Sequence, residues 1–438
     1  MRAGTRWKEE MFGEVDGKVN DPSNDDVATH QMSAPPARGP TRPPPTLFTL
    51  ALLVPASMLG TLTRIGITNL FTFSGTPLAP PIIWAQIVGC AVFGGALQNK
   101  EYFEAVVLRL DHHPTAVGLQ LGSALYIALT SGYCGSVTTF STWILDDYLA
   151  WANYDGAART GGKSFLAGVG QTFVTLAMSA ASLRVGMKLA EEGEPFCMAR
   201  LVDFLPASLR VQSSSSTASP ASIVEPGPGI AHAVDDADDL ADFSNRKKNT
   251  EPFAGHHVLY VLTSLFAIGL LLMTSLLTAF YSPTRSISVA LALSPPGAML
   301  RWFLSRFNGK QLRSSGSRGG WPYGTFAANM MGISIVAASY TALHASRSAD
   351  AASTLPYSRV TCDVIYDGLE TGLAGALSTI STFIAELYTL GAGLKTRRAA
   401  IFYAFASWGF GMVACVLFIA VPLAALHRVD RCSAYSRP

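Results

Sequence analysis

The sequence predicts an all-α polytopic membrane protein: two inverted four-helix repeats joined by one linking transmembrane helix, nine spans in all, with the third and eighth broken. Three observations predict it. Apolar residues make up 49% of the 438 residues and charged residues only 14%, gathered into runs that approach or exceed the roughly 20 residues needed to cross a bilayer. A motif rich in glycine and hydroxyl groups, Gly132 to Asp146 (GYCGSVTTFSTWILD), returns at constant offset from Gly372 to Glu386 (GLAGALSTISTFIAE). The apolar runs also fall into a pattern of four, then one unlike the rest, then four.

Taken in order, residues 1–46 are polar and proline-rich (Pro35, Pro36, Pro40, Pro43, Pro44, Pro45). They lack the apolar surface to build a core and are expected to be a disordered cytoplasmic tail. No apolar stretch precedes Leu47, so no cleavable signal peptide is expected. The first repeat, residues 47–189, holds spans at about 46–71 (with Gly60 and Arg64), 81–97 (with Gln86 and Gly89), 116–150 (with the motif) and 164–183. Residues 190–257 contain SSSSTASPAS, an acidic cluster from Asp235 to Asp239 and the basic Arg246, Lys247 and Lys248. They read as a disordered cytoplasmic linker.

The linking helix, 258–281, is apolar almost throughout. The second repeat, 282–427, then restarts the pattern. Its spans lie at about 287–307, 323–343, 364–390 and 399–426, and residues 428–438 form a C-terminal tail. Gly297 to Arg301 echoes Gly60 to Arg64, and Asn329 with Gly332 echoes Gln86 with Gly89.

Four spans return a chain to the side it started from, so one intervening helix turns the second repeat upside down. The result is a pseudo-two-fold axis in the membrane plane. The side holding the N-terminus receives the larger share of Lys and Arg near span ends, among them Arg38, Arg42, Lys100, Arg109, Arg184, Lys188, Lys310 and Arg313. The other receives Arg159, Lys163, Arg285, Arg347, Arg359, Arg428 and Arg431. The positive-inside rule places the N-terminus in the cytoplasm and the C-terminus outside, in a multi-pass protein of the plasma membrane.

Loosened backbone at membrane depth survives only where protein buries it or it lines a polar cavity. Two such segments in corresponding positions point to a transport site between the repeats. The blander reading is that the Ser and Thr bond back to their own helix and tighten packing. No hydrolase elbow, phosphate loop or zinc-binding helix motif occurs, and no enzyme is predicted. Nor does any feature suggest a nucleic-acid partner. The six cysteines are scattered (Cys90, Cys134, Cys197, Cys362, Cys415, Cys432) and suggest neither a disulfide framework nor a metal site.

Asp146, Glu370 and Glu386 fall toward the ends of the broken helices, so no acid is expected at depth of the kind a proton-coupled carrier uses. The strong charges carried well into spans are Arg64 and Arg301. An arginine near a helix end can simply snorkel. The repeated Gly-x-x-x-Arg spacing instead suggests an anion-attracting vestibule at each mouth, where Lys would substitute acceptably. Asn329 is either packing glue or an amide donor to an anion, and phenylalanine edges can face an anion as well.

At these residues the chain resembles the fluoride channel family: bacterial Fluc/CrcB homodimers and the fused eukaryotic exporters, FEX. The matching elements are Gly-x-x-x-Arg in the first span, Asn329 to Gly332 in the second, and the TTFST motif with its repeat. The resemblance covers both repeats; the tails and the linker lie outside it. It implies a passive fluoride channel conferring fluoride resistance, working as a monomeric fused pseudo-dimer in the lipid bilayer.

The resemblance also implies a structural Na⁺ at the crossing of the breaks, held by the carbonyls of Gly135, Thr138, Gly375 and Ser378. Each family pore takes its two motif aromatics from opposite repeats. On this chain that crossing gives one pore with Phe140 and Phe383, joined by Asn329, and a degenerate one with Ile380, Trp143 and Gln86. The alternatives are an inverted-repeat secondary transporter of a small anion or drug, and a non-conducting membrane scaffold.

Overall fold

In hydrocarbon every backbone polar group must find its partner within the protein, which a helix supplies locally, and the chain is helical nearly throughout. The computed structural model describes residues 46–73, 80–100, 103, 116–154, 159–204, 254–308, 321–347, 356–393 and 396–432. The expected N-terminal tail, and the linker apart from its first and last residues, lie outside them.

In the N-terminal half the helices are α1 (Thr46–Leu70), α2 (Ile82–Gln98), α3 (Ala116–Ile127), α4 (Gly135–Val137), α5 (Phe140–Trp151) and α6 (Gly161–Phe204). α7 (Ala254–Phe280) follows. The C-terminal half holds α8 (Arg285–Ser305), α9 (Tyr323–His344), α10 (Arg359–Cys362), α11 (Gly375–Leu377), α12 (Ile380–Gly391), α13 (Arg397–Cys415) and α14 (Val421–Ala425). Wider π-helical turns, Ala128–Cys134 and Asp363–Ala374, run directly into α4 and α11. Seven helical stretches among the described residues are long and apolar enough to cross a membrane, and Ile82–Gln98 is a shorter apolar helix. The chain is a helical, multi-pass membrane protein.

α7 is the most lipid-like element. Val258, Leu262, Leu265, Phe266, Ile268 and Leu272 are exposed along it, while Ala267 packs against Ala51, Val54 and Met58 of α1. Small residues let helices meet where no hydrophobic drive exists between them in lipid. A Cβ on Gly60 would stand 2.9 Å from the Ser136 Cβ and collide with the Tyr133 carbonyl. One on Gly297 would collide with the Leu373 carbonyl. The two Gly-x-x-x-Arg glycines thus press α1 and α8 against equivalent turns of the π-helical segments.

The main buried cluster gathers Phe140, Trp143 and Ile144 of α5, Ile333 and Val336 of α9, Ile380 and Phe383 of α12, and Tyr403 of α13. A short antiparallel pair forms between β1 (Ala345–Ser346), which follows α9, and β2 (His427–Arg428), which follows α14, with Ala345 opposite Arg428. Beside it Cys362 and Cys432, separated by 70 positions, are joined as a disulfide with Cα atoms 6.1 Å apart. This one bond departs from the reading that the scattered cysteines suggest no disulfide framework. The spacing carried no signal because the C-terminal segment returns to α10 only once the helices have packed. Arg431 holds it there, donating through Nη1 to the Tyr357 hydroxyl at 2.6 Å.

Candidate functional site

Both halves of the repeated motif leave the helix at the same place. Thr138 (φ −94°, ψ 144°) and Thr139 (φ −139°, ψ 127°) are extended between α4 and α5. Ser378 (φ −90°, ψ 154°) and Thr379 (φ −152°, ψ 136°) are extended between α11 and α12. All four are buried, so their freed backbone groups need partners within the protein.

One amide side chain serves each break. Asn329 accepts from the Thr379 N–H at 2.8 Å and donates to its carbonyl at 3.4 Å. Gln86 accepts from the Thr139 N–H at 3.2 Å and donates to its carbonyl at 2.7 Å. The longer Gln and the shorter Asn thus do the same backbone work in the two halves.

Hydroxyl groups join the breaks reciprocally. Ser141 N–H donates to Ser378 Oγ at 3.0 Å, and Ser381 N–H to Thr138 Oγ1 at 3.2 Å. Each break therefore caps the first turn of the other half's helix, where N–H groups have no helical partner. Thr138 and Thr379 (3.0 Å), Thr139 and Ser378 (3.1 Å), and Ser378 and Ser141 (2.8 Å) complete the cluster.

Arg64 and Arg301 are 3% and 4% exposed. Instead of opening to solvent, each reaches across to the other half. Arg64 Nη2 donates to the Thr371 carbonyl at 2.5 Å. Arg301 Nη2 donates to the Ser131 carbonyl, and its Nη1 to the carbonyls of Gly135 at 2.5 Å and Ser378 at 3.4 Å. A Cβ on Gly135 would collide with the Arg301 guanidinium, and one on Gly375 with that of Arg64. The vestibule expectation has each arginine act mainly through charge; in the fold each guanidinium is buried and donates to the backbone of the opposite half. Sequence places an arginine late in its span, but only the packing says where its side chain ends.

The implied Na⁺ can be tested for fit on the same atoms. A loosened turn does expose carbonyls suited to a hard cation. Two of the four expected carbonyls, Gly135 and Ser378, already accept from Arg301, and Gly375 lies against Arg64. Two unit charges about 4 Å apart repel by about 4 kcal/mol at an effective dielectric of about 20. The cradle suits a cation but does not fit a free Na⁺ beside that guanidinium.

Next to the crossing, Phe140 and Phe383 meet edge to face with centroids 5.1 Å apart, and Phe140 meets Trp143 at 5.0 Å. Trp143 and Ile380, the other expected pair, are both fully buried. Phe383 also packs on Tyr403 at 5.2 Å. The Tyr403 hydroxyl donates to Glu386 Oε2 at 2.8 Å, while Thr325 (2.5 Å) and Asn308 (3.0 Å) donate to Oε1.

Glu386 is 8% exposed and Asp147, bonded by the Thr172 hydroxyl, is 0%. Glu386 lies near the end of its broken helix, as expected, yet is buried within the protein; Asp147 is not among the acids that the sequence singles out. The available signal was the hydroxyl and amide groups on neighbouring spans, Thr325, Tyr403 and Thr172, which give a buried carboxylate its donors.

Comparison with known proteins places the chain. The family model described as CrcB-like protein, Camphor Resistance (CrcB) matches twice, at residues 51–187 and 288–419. The chain is similar to Fluoride export protein 1 of Schizosaccharomyces pombe, 36% identical over 146 residues, 33% of this chain and 42% of that protein. It is similar to Fluoride export protein 1 of Neurospora crassa, 26% identical over 412 residues, 85% of this chain and 66% of that protein. It also resembles Fluoride-specific ion channel FluC 1 of Prochlorococcus marinus, 32% identical over 100 residues, 23% of this chain and 55% of that protein. The match to the fission yeast protein thus spans about two fifths of that relative's length. No solved structure matches. With both halves of the chain matched by one model, and the paired motifs of those halves meeting at a single crossing, the chain belongs to the CrcB family.

Proposed function

We propose that this chain is a passive, fluoride-selective channel that lets fluoride leave the cytoplasm and so confers fluoride resistance. The observation that carries the reading is the double match to a family with relatives named fluoride export proteins and a fluoride-specific ion channel. The driving force is the membrane potential, about 2.3 kcal/mol per 100 mV for an anion leaving a negative interior.

The fold is read as nine spans in two inverted repeats, a fused pseudo-dimer that functions as a monomer. The reciprocal contacts support a pseudo-dyad: Arg64 to Thr371 against Arg301 to Ser131, and Ser378 to Ser141 against Thr138 to Ser381. An isologous interface has this exchange pattern. The bias of Lys and Arg supports a cytoplasmic N-terminus and an extracellular C-terminus in the plasma membrane. The Cys362–Cys432 disulfide agrees, because such bonds persist on the oxidising side of a membrane.

One pore is taken to conduct. It runs past Phe140, Phe383 and Asn329, where two aromatic edges present their positive rims to an anion stripped of water. α9, which carries Asn329, packs on α5 and α13, whereas α2, which carries Gln86, packs on α6 and α12. The packing of α9 on α5 supports placing Asn329 beside Phe140; the pathway with Ile380, Trp143 and Gln86 is taken to hold the fold without conducting.

A second reading, a proton-coupled transporter, draws support from the buried carboxylates of Glu386 and Asp147. Reconstituted protein in liposomes tests both. The channel reading expects a fluoride gradient to collapse while a chloride gradient survives. Equal chloride flux, or fluoride flux that requires an imposed proton gradient, refutes it.

A further inference from the structure

We infer that the Arg301 guanidinium, partnered across the crossing by that of Arg64, is itself the cation of the carbonyl cradle, a tethered charge in the place where the family resemblance implies a soluble Na⁺. Three observations on this chain carry the inference. Arg301 donates to the carbonyls of Gly135 and Ser378, which belong to opposite breaks, and to that of Ser131 one turn earlier. Arg64 makes the matching reach to Thr371, the position equivalent to Ser131. Each guanidinium also lies where a side chain on Gly135 or Gly375 would collide with it, so the glycines leave the room the arginines take. A planar guanidinium offers five N–H donors in a fixed fork and keeps its charge, so it can join carbonyls that diverge from two chains.

The consequence is a crossing whose positive charge is built into the chain and does not depend on the cations outside. Six hydroxyl-bearing residues and two arginines then hold the breaks together, and a permeating anion passes a charge that cannot dissociate.

The test is made on the full-length protein in detergent and in liposomes, with Na⁺ replaced by N-methyl-D-glucamine at equal ionic strength. A Na⁺ site filled to about 100 times its Kd would raise the folded-to-unfolded ratio about 100-fold. The inference expects less than a twofold change in that ratio and in fluoride efflux. Stabilisation by Na⁺, or efflux that falls when Na⁺ is removed, overturns it. Arg301→Met removes the tethered charge and is expected to make stability Na⁺-dependent. A folded Arg301→Met protein that stays indifferent to Na⁺ also overturns the inference, and if that variant does not fold the wild-type comparison decides alone. The stability measurement involves no fluoride conduction, so failure here is distinct from failure of the channel reading.

Discussion

Replacing Phe140 with isoleucine separates a conducting role from a packing role. Phe140 is fully buried and meets Phe383 and Trp143 edge to face, at 5.1 Å and 5.0 Å. Each aromatic pair contributes about 0.5–1.5 kcal/mol beyond area burial, so Phe140→Ile should cost about 1–3 kcal/mol of stability. Ile380→Val, at the equivalent position of the other half, should cost about 0.5–1.5 kcal/mol. The stabilities therefore overlap while the expected fluxes do not. If a passing fluoride draws even about 1.4 kcal/mol from the Phe140 edge at its highest barrier, losing that edge slows flux about tenfold. Ile380 has no edge to lose.

The assay is fluoride efflux from liposomes holding equal amounts of monodisperse protein, followed with a fluoride electrode. Phe140→Ile is expected to fall at least tenfold and Ile380→Val to stay within a factor of two. Normal flux through Phe140→Ile, or abolished flux through a stably folded Ile380→Val, would refute the assignment of one pore to Phe140.

Arg301→Lys keeps a charge but cannot reproduce a fork that reaches Ser131 and Gly135 together. It should lose stability nearly as far as Arg301→Ala in thermal unfolding, and a Lys variant equal to wild type would restore the charge-only account. Ser378→Ala strands the buried Ser141 N–H and should cost about 1–3 kcal/mol, whereas Ser378→Thr keeps the hydroxyl and should be mild. Equal unfolding midpoints for the two would remove the hydroxyl cluster from the account. On intact cells, a membrane-impermeant reductant should break the Cys362–Cys432 disulfide, read as two further thiols once the protein is denatured. Reduction that requires permeabilised cells would reverse the orientation.

The helical class and the repeated motif were legible in the sequence because both rest on local properties. A long apolar run must be a helix in lipid, and glycines beside hydroxyl residues must be sheltered there. Equivalent residues can likewise be paired from the sequence: Thr138 with Ser378 by the motif's constant offset, and Arg64 with Arg301 by the repeated Gly-x-x-x-Arg. Where those side chains go was not legible. Asn329 and Gln86 both clasp backbone, a shared task their chemistry allows but their differing lengths conceal.

The sequence by itself thus determined a helical polytopic membrane protein of the CrcB family, with two matched halves and a pair of motifs that lipid could not tolerate exposed. Tertiary structure alone decided that Arg64 and Arg301 turn inward to carbonyls of the opposite half. It also decided that Glu386 sits in a cage of Thr325, Asn308 and Tyr403, that Phe140 meets Phe383, and that Cys362 finds Cys432. The physical reason is common to all four. Each contact joins segments far apart in the sequence, brought together by helix–helix packing, which in a membrane is set by close-fitting shape and internal hydrogen bonds that no single stretch of sequence encodes.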